Sequence, residues 1–410
     1  MPPEVTPAQL GLLGVIALAL LFEHYDISML TAAARDIRAS FDIPQSDLGG
    51  LTALVRLGAL PAVLLVPFAD RIGRRRLFLV SVAGTSLATL LTAFSQSAAQ
   101  FVAIQMLART FLIAGSAVAF VIVAEEFPAR HRGWAVGILG ALGAVGFGLG
   151  ALVFPLSDHL PYGWRALYVF GAIPLFLLPM FHRRVPETHR FTRSRDVRAT
   201  GSWLLGWWRP FATLAKRYPG RSLALASIGS LAAAGHGMAH QLVGDFVLTD
   251  HGFTKGQYST MVILGGAVGI IGNTAVGRFA DRLGRRVVGF LILGLFPVFA
   301  CAFYNVPTFW IPAVWIPMVF VTTGGNTVVR ALSTELFPTS SRGTASGSLS
   351  LFETLGAASG LAAVSLLTAE GASYAPAASV IVFLTLIAGG VALMVPETAR
   401  RELEDISDEE

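Results

Sequence analysis

The sequence predicts an all-α integral membrane protein whose twelve transmembrane helices form two pseudo-symmetric six-helix bundles. Three observations predict it. Of the 410 residues, 54% are apolar and only 13% charged, with a mean hydropathy of +0.65, more greasy surface than a soluble core can hide. The apolar residues fall in successive runs of about twenty, each long enough to cross about 30 Å of hydrocarbon as a helix. Three motifs then recur at a shift of 210 or 211 residues, as a duplicated half would produce.

Hydropathy places spans at 9–32, 47–69, 76–96, 99–125, 133–155, 163–182, 222–248, 256–278, 285–303, 308–334, 343–368 and 374–396. The 43 glycines and 21 prolines fit this setting, because membrane helices tolerate both and use small residues for close packing. The first run, about Leu10 to Phe22, lacks a basic region before it and reads as a retained helix. A single cysteine, Cys301, excludes a disulfide framework and a cysteine zinc site. The net charge of +5 lies in short loops between spans, which speaks for topology and against nucleic acid as a partner.

With the N-terminus cytoplasmic, Arg35, Arg38, Arg165 and Lys255 are external and Arg56, Arg109 and Arg330 lie inside spans. The remaining 23 of the 30 Lys and Arg are cytoplasmic. The positive-inside rule is satisfied with both termini in the cytoplasm. The expected organisation is a bundle over 1–182, an interfacial cytoplasmic linker over 183–221 containing Trp203, Trp207 and Trp208, a second bundle over 222–398, and an acidic cytoplasmic tail over 399–410. The cell inner (plasma) membrane is the expected location, with the bilayer as partner and a functional monomer.

The first repeated motif is Asp70-Arg71-Ile72-Gly73-Arg74-Arg75, echoed by Asp281-Arg282-Leu283-Gly284-Arg285-Arg286. The second is E-x-x-P-x-x-x-R-G, present as Glu125, Pro128, Arg132 and Gly133 and again as Glu335, Pro338, Arg342 and Gly343. The third is Pro186-Glu187-Thr188, echoed by Pro396-Glu397-Thr398. Glycines keep the register too, Gly137, Gly146 and Gly150 matching Gly347, Gly356 and Gly360.

On these motifs nearly the whole chain resembles the major facilitator superfamily, and within it the sugar-porter-like and metabolite-proton symporter branches. D-R-x-G-R-R is the superfamily's hallmark, and E-x-x-P-x-x-x-R-G with a following P-E-T is the narrower sugar-porter-like pattern. Val66 departs from it, standing where the hallmark loop usually begins with the glycine that Gly277 supplies in the second half. The spacing lets the arginines join Asp70 and Asp281 to Glu125, Glu187, Glu335 and Glu397 by charge-assisted bonds. The resemblance implies a gate of this kind that stabilises the outward-facing state. Topology anchoring is the plainer reading of the same arginines.

Charges inside spans need a partner or a watery cavity, which singles out Glu23, Asp26, Arg56, Arg109 and Arg330. At 1.5 Å per residue, Asp26 and Arg109 lie at matched depths of about 25 and 24 Å, and Glu23 and Arg56 both at about 21 Å. Either pair can therefore form. Tyr25-Asp26 resembles the Y-D step of helix one in sugar-porter-like proton symporters, and Arg109 the helix-four arginine facing it. The implied role is proton coupling: the pair keeps Asp26 ionised, and its loss lets Asp26 take a proton. A permanent clamp holding the first bundle together reads identically in sequence.

Under the same shift Asp26 falls on His236, followed one turn later by His240 and Gln241 and then by Asp245. They suit a hydrogen-bonding cavity face or simple helix packing, and a metal site would need more ligands. The sugar-porter Q-Q-x-x-G-x-N pattern is absent, and Thr322-Thr323-Gly324-Gly325-Asn326 replaces the usual proline and tryptophan segment of helix ten. Arg330 stands where sugar porters often carry tryptophan, and either faces the cavity or joins Glu335. With Arg56, a cavity cation favours an anionic solute, since a guanidinium grips a carboxylate with two bonds.

The chain therefore reads as a proton-coupled symporter of a small organic acid anion working by alternating access. The alternatives are a proton-driven exporter of drugs or amphiphiles, or a sugar or polyol symporter. An intramembrane enzyme is disfavoured, because no metal spacing, G-x-S-x-G element or P-loop is present. No cofactor is expected, the proton gradient supplying the energy.

Overall fold

The computed structural model describes residues 5–66, 69–188, 208–338, 341–368 and 373–399, without the side chains of Asp70 and Ala129. Much of the expected linker and almost all of the expected tail lie outside the described residues. Twelve helices are long and apolar enough to cross a membrane. They are α1 (Pro7–Ala32), α2 (Gln45–Leu65), α3 (Arg74–Ala93), α4 (Ala98–Glu126), α5 (Arg130–Asp158), α6 (Trp164–Arg184), α7 (Pro219–Thr249), α8 (Lys255–Leu283), α9 (Arg285–Asn305), α10 (Thr308–Glu335), α11 (Arg342–Leu367) and α12 (Tyr374–Met394). Among the described residues every regular element is helical.

Several starts follow from local chemistry. Thr6 caps α1 and Thr254 caps α8, each in a reciprocal box with the glutamine three residues on, and Ser97 caps α4. Interruptions fall where the backbone invites them. The chain turns between Leu57 and Ala62 in α2, around Gly58 and Pro61, and α6 breaks at Ala172 just before Pro174. In α7 the break falls at Leu242, directly after Gln241.

Two compact units result, one comprising Met1–Asp42 and Gly58–Trp203, the other Ile43–Leu57 and Leu204–Glu410. In the first, α1 packs on α5 and α3 on α4 around a core that includes Leu13, Ile16, Phe78, Val118 and Phe181. The second repeats this with α7 on α11 and α9 on α10, around Ile228, Leu293, Val328 and Leu349. It also takes in the opening stretch of α2, which lies along α11. The outer faces are apolar, Phe176, Leu366 and Met394 being among the most exposed side chains.

For Gly146 and Gly356 the shared register has a steric reason. A Cβ on Gly146 would overlap the backbone carbonyl of Leu21, and one on Gly356 that of Ser230. These positions bring α5 against α1 and α11 against α7 at backbone contact, the small-residue packing that lipid-embedded helices depend on.

Candidate functional sites

In the first unit, α1 carries Glu23, His24, Tyr25 and Asp26 into a polar cluster. Asp26 is buried, and its Oδ1 accepts the Thr89 hydroxyl of α3 at 2.9 Å. Arg109 on α4 lies near enough for its charge to act on Asp26, Tyr168 and His24, without a direct ion pair to Asp26. One turn earlier on α4, Gln105 donates to Thr92 at 3.0 Å and also reaches the Asp26 carboxylate. Asp26 and Arg109, expected at matched depth, thus lie in one cluster. Glu23 finds its partner within the same unit, accepting Ser116 Oγ at 2.6 Å on its Oε2. Thr89 and Ser116 were not singled out by sequence, because a hydroxyl residue in a membrane helix carries no distinguishing pattern.

In the second unit, Arg56 on α2 donates to Gln241 Oε1 on α7 at 3.2 Å. His240 donates to or accepts from Thr322 Oγ1 at 3.5 Å, and its Nδ1 meets the His236 carbonyl at 3.0 Å. Two aromatic side chains flank the histidines. Phe296 meets His236 edge-on at 4.3 Å and stacks with His240 at 6.2 Å, while Trp315 lies 5.5 Å from His240. Phe296 and Trp315 had no signal in one dimension, since aromatic residues are common throughout apolar spans. Arg56 is also close enough for its charge to act on His240.

Two sequence candidates sit apart from these contacts. Arg330 is 65% exposed and pairs at 3.5 Å with Glu353 of α11, not with Glu335. Glu353, a further in-span carboxylate missed by sequence reading, was masked by the serine- and glycine-rich run around it. Asn326 is exposed. Asp245 is fully buried and takes the Tyr374 hydroxyl at 3.2 Å.

The repeated motifs gather at one end of each unit. Arg74 meets Glu125 at 3.4 Å, while Arg75 donates its backbone N–H to Glu187 at 3.2 Å and its guanidinium to the His182 carbonyl. The arginine–glutamate contact is closer in the second copy. Arg285 holds Glu335 by two bonds of 3.1 and 3.2 Å and Asp281 at 2.7 Å, and Thr398 donates to Glu335 at 2.6 Å. The P-E-T glutamates thus reach the arginines through backbone N–H groups, where a helix N-terminus favours a carboxylate. Burial pushes the Glu397 carboxyl up, but backbone bonds from Ala399, Arg285, Arg286 and Thr398 outweigh it and hold it below the usual value. Arg71 and Arg282 are exposed, Arg132 and Arg342 half-buried, and the Asp70 side chain lies outside the described residues.

The family model described as Major Facilitator Superfamily matches residues 16–242 and 225–410. The chain belongs to the major facilitator superfamily. It is similar to the gallate transporter of Pseudomonas putida, 28% identical over 186 residues, or 45% of this chain and 41% of that protein. It is 25% identical to the cis,cis-muconate transport protein of Acinetobacter baylyi, covering 86% of each, and 23% identical to a putative niacin/nicotinamide transporter of Bacillus subtilis, covering 97% and 98%. The inward open xylose transporter of E. coli shares the fold with a TM-score of 0.75 at 16% identity, covering 97% of this chain and 99% of that one. This member of the superfamily is a multi-pass membrane transporter of a small solute, not an enzyme.

Proposed function

We propose that this chain is a proton-coupled symporter of a small organic acid anion, working by alternating access in the cell inner membrane with both termini cytoplasmic. The observation that carries it is Asp26, a buried carboxylate that accepts the Thr89 hydroxyl, has the Gln105 side chain beside it and lies near Arg109 without a direct ion pair. Such an arrangement favours coupling over a permanent clamp. A cation that is close but not bonded changes the proton affinity of the acid with a small displacement. Protonation then removes a buried charge that otherwise resists helix movement.

For the solute, Arg56 supplies a cation, Gln241 and His240 supply hydrogen-bonding groups, and Phe296 and Trp315 supply ring faces. Together they suit a planar or aromatic carboxylate, in keeping with relatives named for gallate, muconate and niacin. The two D-R-x-G-R-R networks would serve as the cytoplasmic gate, and the bundles would span 1–182 and 222–398.

Proteoliposomes with an imposed pH gradient test the reading. Wild type should accumulate labelled gallate, cis,cis-muconate or nicotinate, with Asp26→Asn abolishing accumulation but not counterflow, which needs no net proton movement. Accumulation by Asp26→Asn with wild-type pH dependence would overturn Asp26 as the coupling site.

A further inference from the structure

We propose that a water molecule held between Glu23, Thr85 and Thr89 joins Glu23 to Asp26 as a two-carboxyl proton relay. The proposal rests on the reading of Asp26 as the coupling acid and adds to it a second acid and the path between them.

A narrow cavity with water-sized free space of about 10 Å³ lies between α1, α3 and α6, lined by Glu23, Thr85, Ser86, Thr89 and apolar neighbours that include Phe22 and Pro174. That is about the space one water needs, and a water stays in such a place only where two to four polar groups hold it. The lining provides them. Glu23 Oε1 and Thr85 Oγ1 are buried polar atoms with no hydrogen-bond partner in the protein, although Glu23 Oε2 is already taken by Ser116. Both residues are at least nine-tenths buried. A buried polar atom without a partner is costly, and a bridging water removes that cost for both at once.

Thr89 continues the chain. Its hydroxyl donates its only proton to Asp26 Oδ1, which leaves the oxygen lone pairs open to a donor from the cavity side. The spacing on both helices supports the path. Glu23 and Asp26 are three residues apart on α1, and Thr85 and Thr89 four apart on α3, so each pair shares a face. The other titratable groups around the path are His24 and Tyr25 on α1, Arg109 on α4 and Tyr168 on α6. From α3 the path meets only hydroxyls.

The transfer balances. Protonated Glu23 gives its proton to the water, the water passes one of its own to Thr89 Oγ1, and Thr89 releases its original proton to the Asp26 carboxylate. Glu23 ends ionised and Asp26 neutral, with water and hydroxyl restored after they rotate. Glu23 is thereby a holding site from which Asp26 is loaded.

Three measurements test it. An experimental structure of the full chain that resolves ordered water should show one within hydrogen-bond distance of Glu23 Oε1 and of Thr85 or Thr89. A cavity closed by a side chain overturns the site. Infrared spectroscopy needs no solute: the carboxyl band assigned with Glu23→Gln should shift in Thr85→Val, and an unmoved band counts against the water. In proteoliposomes, with whichever of gallate, cis,cis-muconate or nicotinate wild type accumulates best, Thr89→Val should slow proton-driven accumulation by about a hundredfold, the low end of what positioned proton transfer supplies. Counterflow should persist, and Thr89→Ser should restore accumulation. If Asp26→Asn uncouples transport while Thr89→Val behaves as wild type, the relay alone fails; if Asp26→Asn stays coupled, the underlying reading fails with it.

Discussion

Glu397 sets its carboxylate against Gly284, in the space a Cβ would occupy, and with the same group accepts the backbone N–H groups of Arg285 at 2.7 Å and Arg286 at 3.2 Å. Glu187 does the same to Gly73 and the N–H of Arg75. Both glycines have left-handed backbones, with φ of 103° and 105°. The glycine of D-R-x-G-R-R is thus required twice over, by its φ and by a glutamate more than a hundred residues away. Gly284→Ala should cost about 1–3 kcal/mol from the strained φ and the displaced cap. Thermal unfolding of the purified protein in detergent measures it, and an unchanged midpoint would contradict the capping role.

Acid should weaken the same cap. Glu397 is held below the usual glutamate value of 4.5, so it is ionised in the folded protein and its contribution is present above that value. As pH falls through the depressed folded value the carboxylate is protonated and the contribution is lost. Wild type should therefore be more stable than Glu397→Gln near neutrality, and the gap should close toward acid pH. A gap independent of pH across that range would rule out ionisation as its source.

The two copies of the gate network should differ in strength. Between the arginine and the glutamate of the second motif, Arg285 binds Glu335 by two bonds of 3.1 and 3.2 Å, whereas Arg74 meets Glu125 at 3.4 Å. A double-mutant cycle on Arg285 and Glu335 should give a coupling of about 1.5–3 kcal/mol, the range of charged hydrogen bonds, and the cycle on Arg74 and Glu125 a smaller one, because its contact is longer. Equal couplings would contradict this ordering.

Much of the architecture was legible in one dimension because the determinants are local or repeated. Run length marks the spans, and a shift of 210 residues aligns Gly146 with Gly356, where the structure shows the same backbone contact in each unit. What stayed hidden depends on which neighbour arrives. No pattern indicates that Arg330 meets Glu353, that Phe296 and Trp315 flank His240, or that the opening stretch of α2 lies along α11. Helical depth put Asp26 level with Arg109 and Glu23 level with Arg56, but depth says nothing of azimuth, so the hydroxyls of Thr89 and Ser116 that bind the two acids went unseen.

Close backbone packing gives a further prediction. A methyl group on Gly356 would overlap the backbone of Ser230, which cannot give way as a flexible side chain would. Gly356→Ala should therefore force α11 away from α7 and destabilise the protein by about 1–3 kcal/mol, as overpacking does. Gly343→Ala serves as the control, since nothing lies within 4 Å of its Cβ position. Equal stability changes in the two variants would show that the contact at Gly356 is not tight, since the helix-propensity change is common to both.

Recognition of a carboxylate can be separated from recognition of a ring. Arg56 has Gln241 as a bonded neighbour at 3.2 Å, and its charge also acts on His240, which stacks with Phe296. If this cluster binds the solute, the guanidinium should grip the carboxylate while the aromatic side chains read the ring, so each contribution answers to a different probe. Arg56→Ala should remove a charged contact of about 1.5–3 kcal/mol, raising KM for nicotinate about tenfold to a hundredfold. Binding of nicotinamide, which has the same ring but no charge, should change little. Arg56→Lys should recover only part of the loss, because an ammonium cannot form the paired bonds of a guanidinium. Phe296→Leu should weaken both probes alike. Competition against a labelled transported acid reads all four effects in one assay. If Arg56→Ala weakens nicotinate and nicotinamide equally, Arg56 acts by supporting α7 through Gln241 and not by meeting the anion.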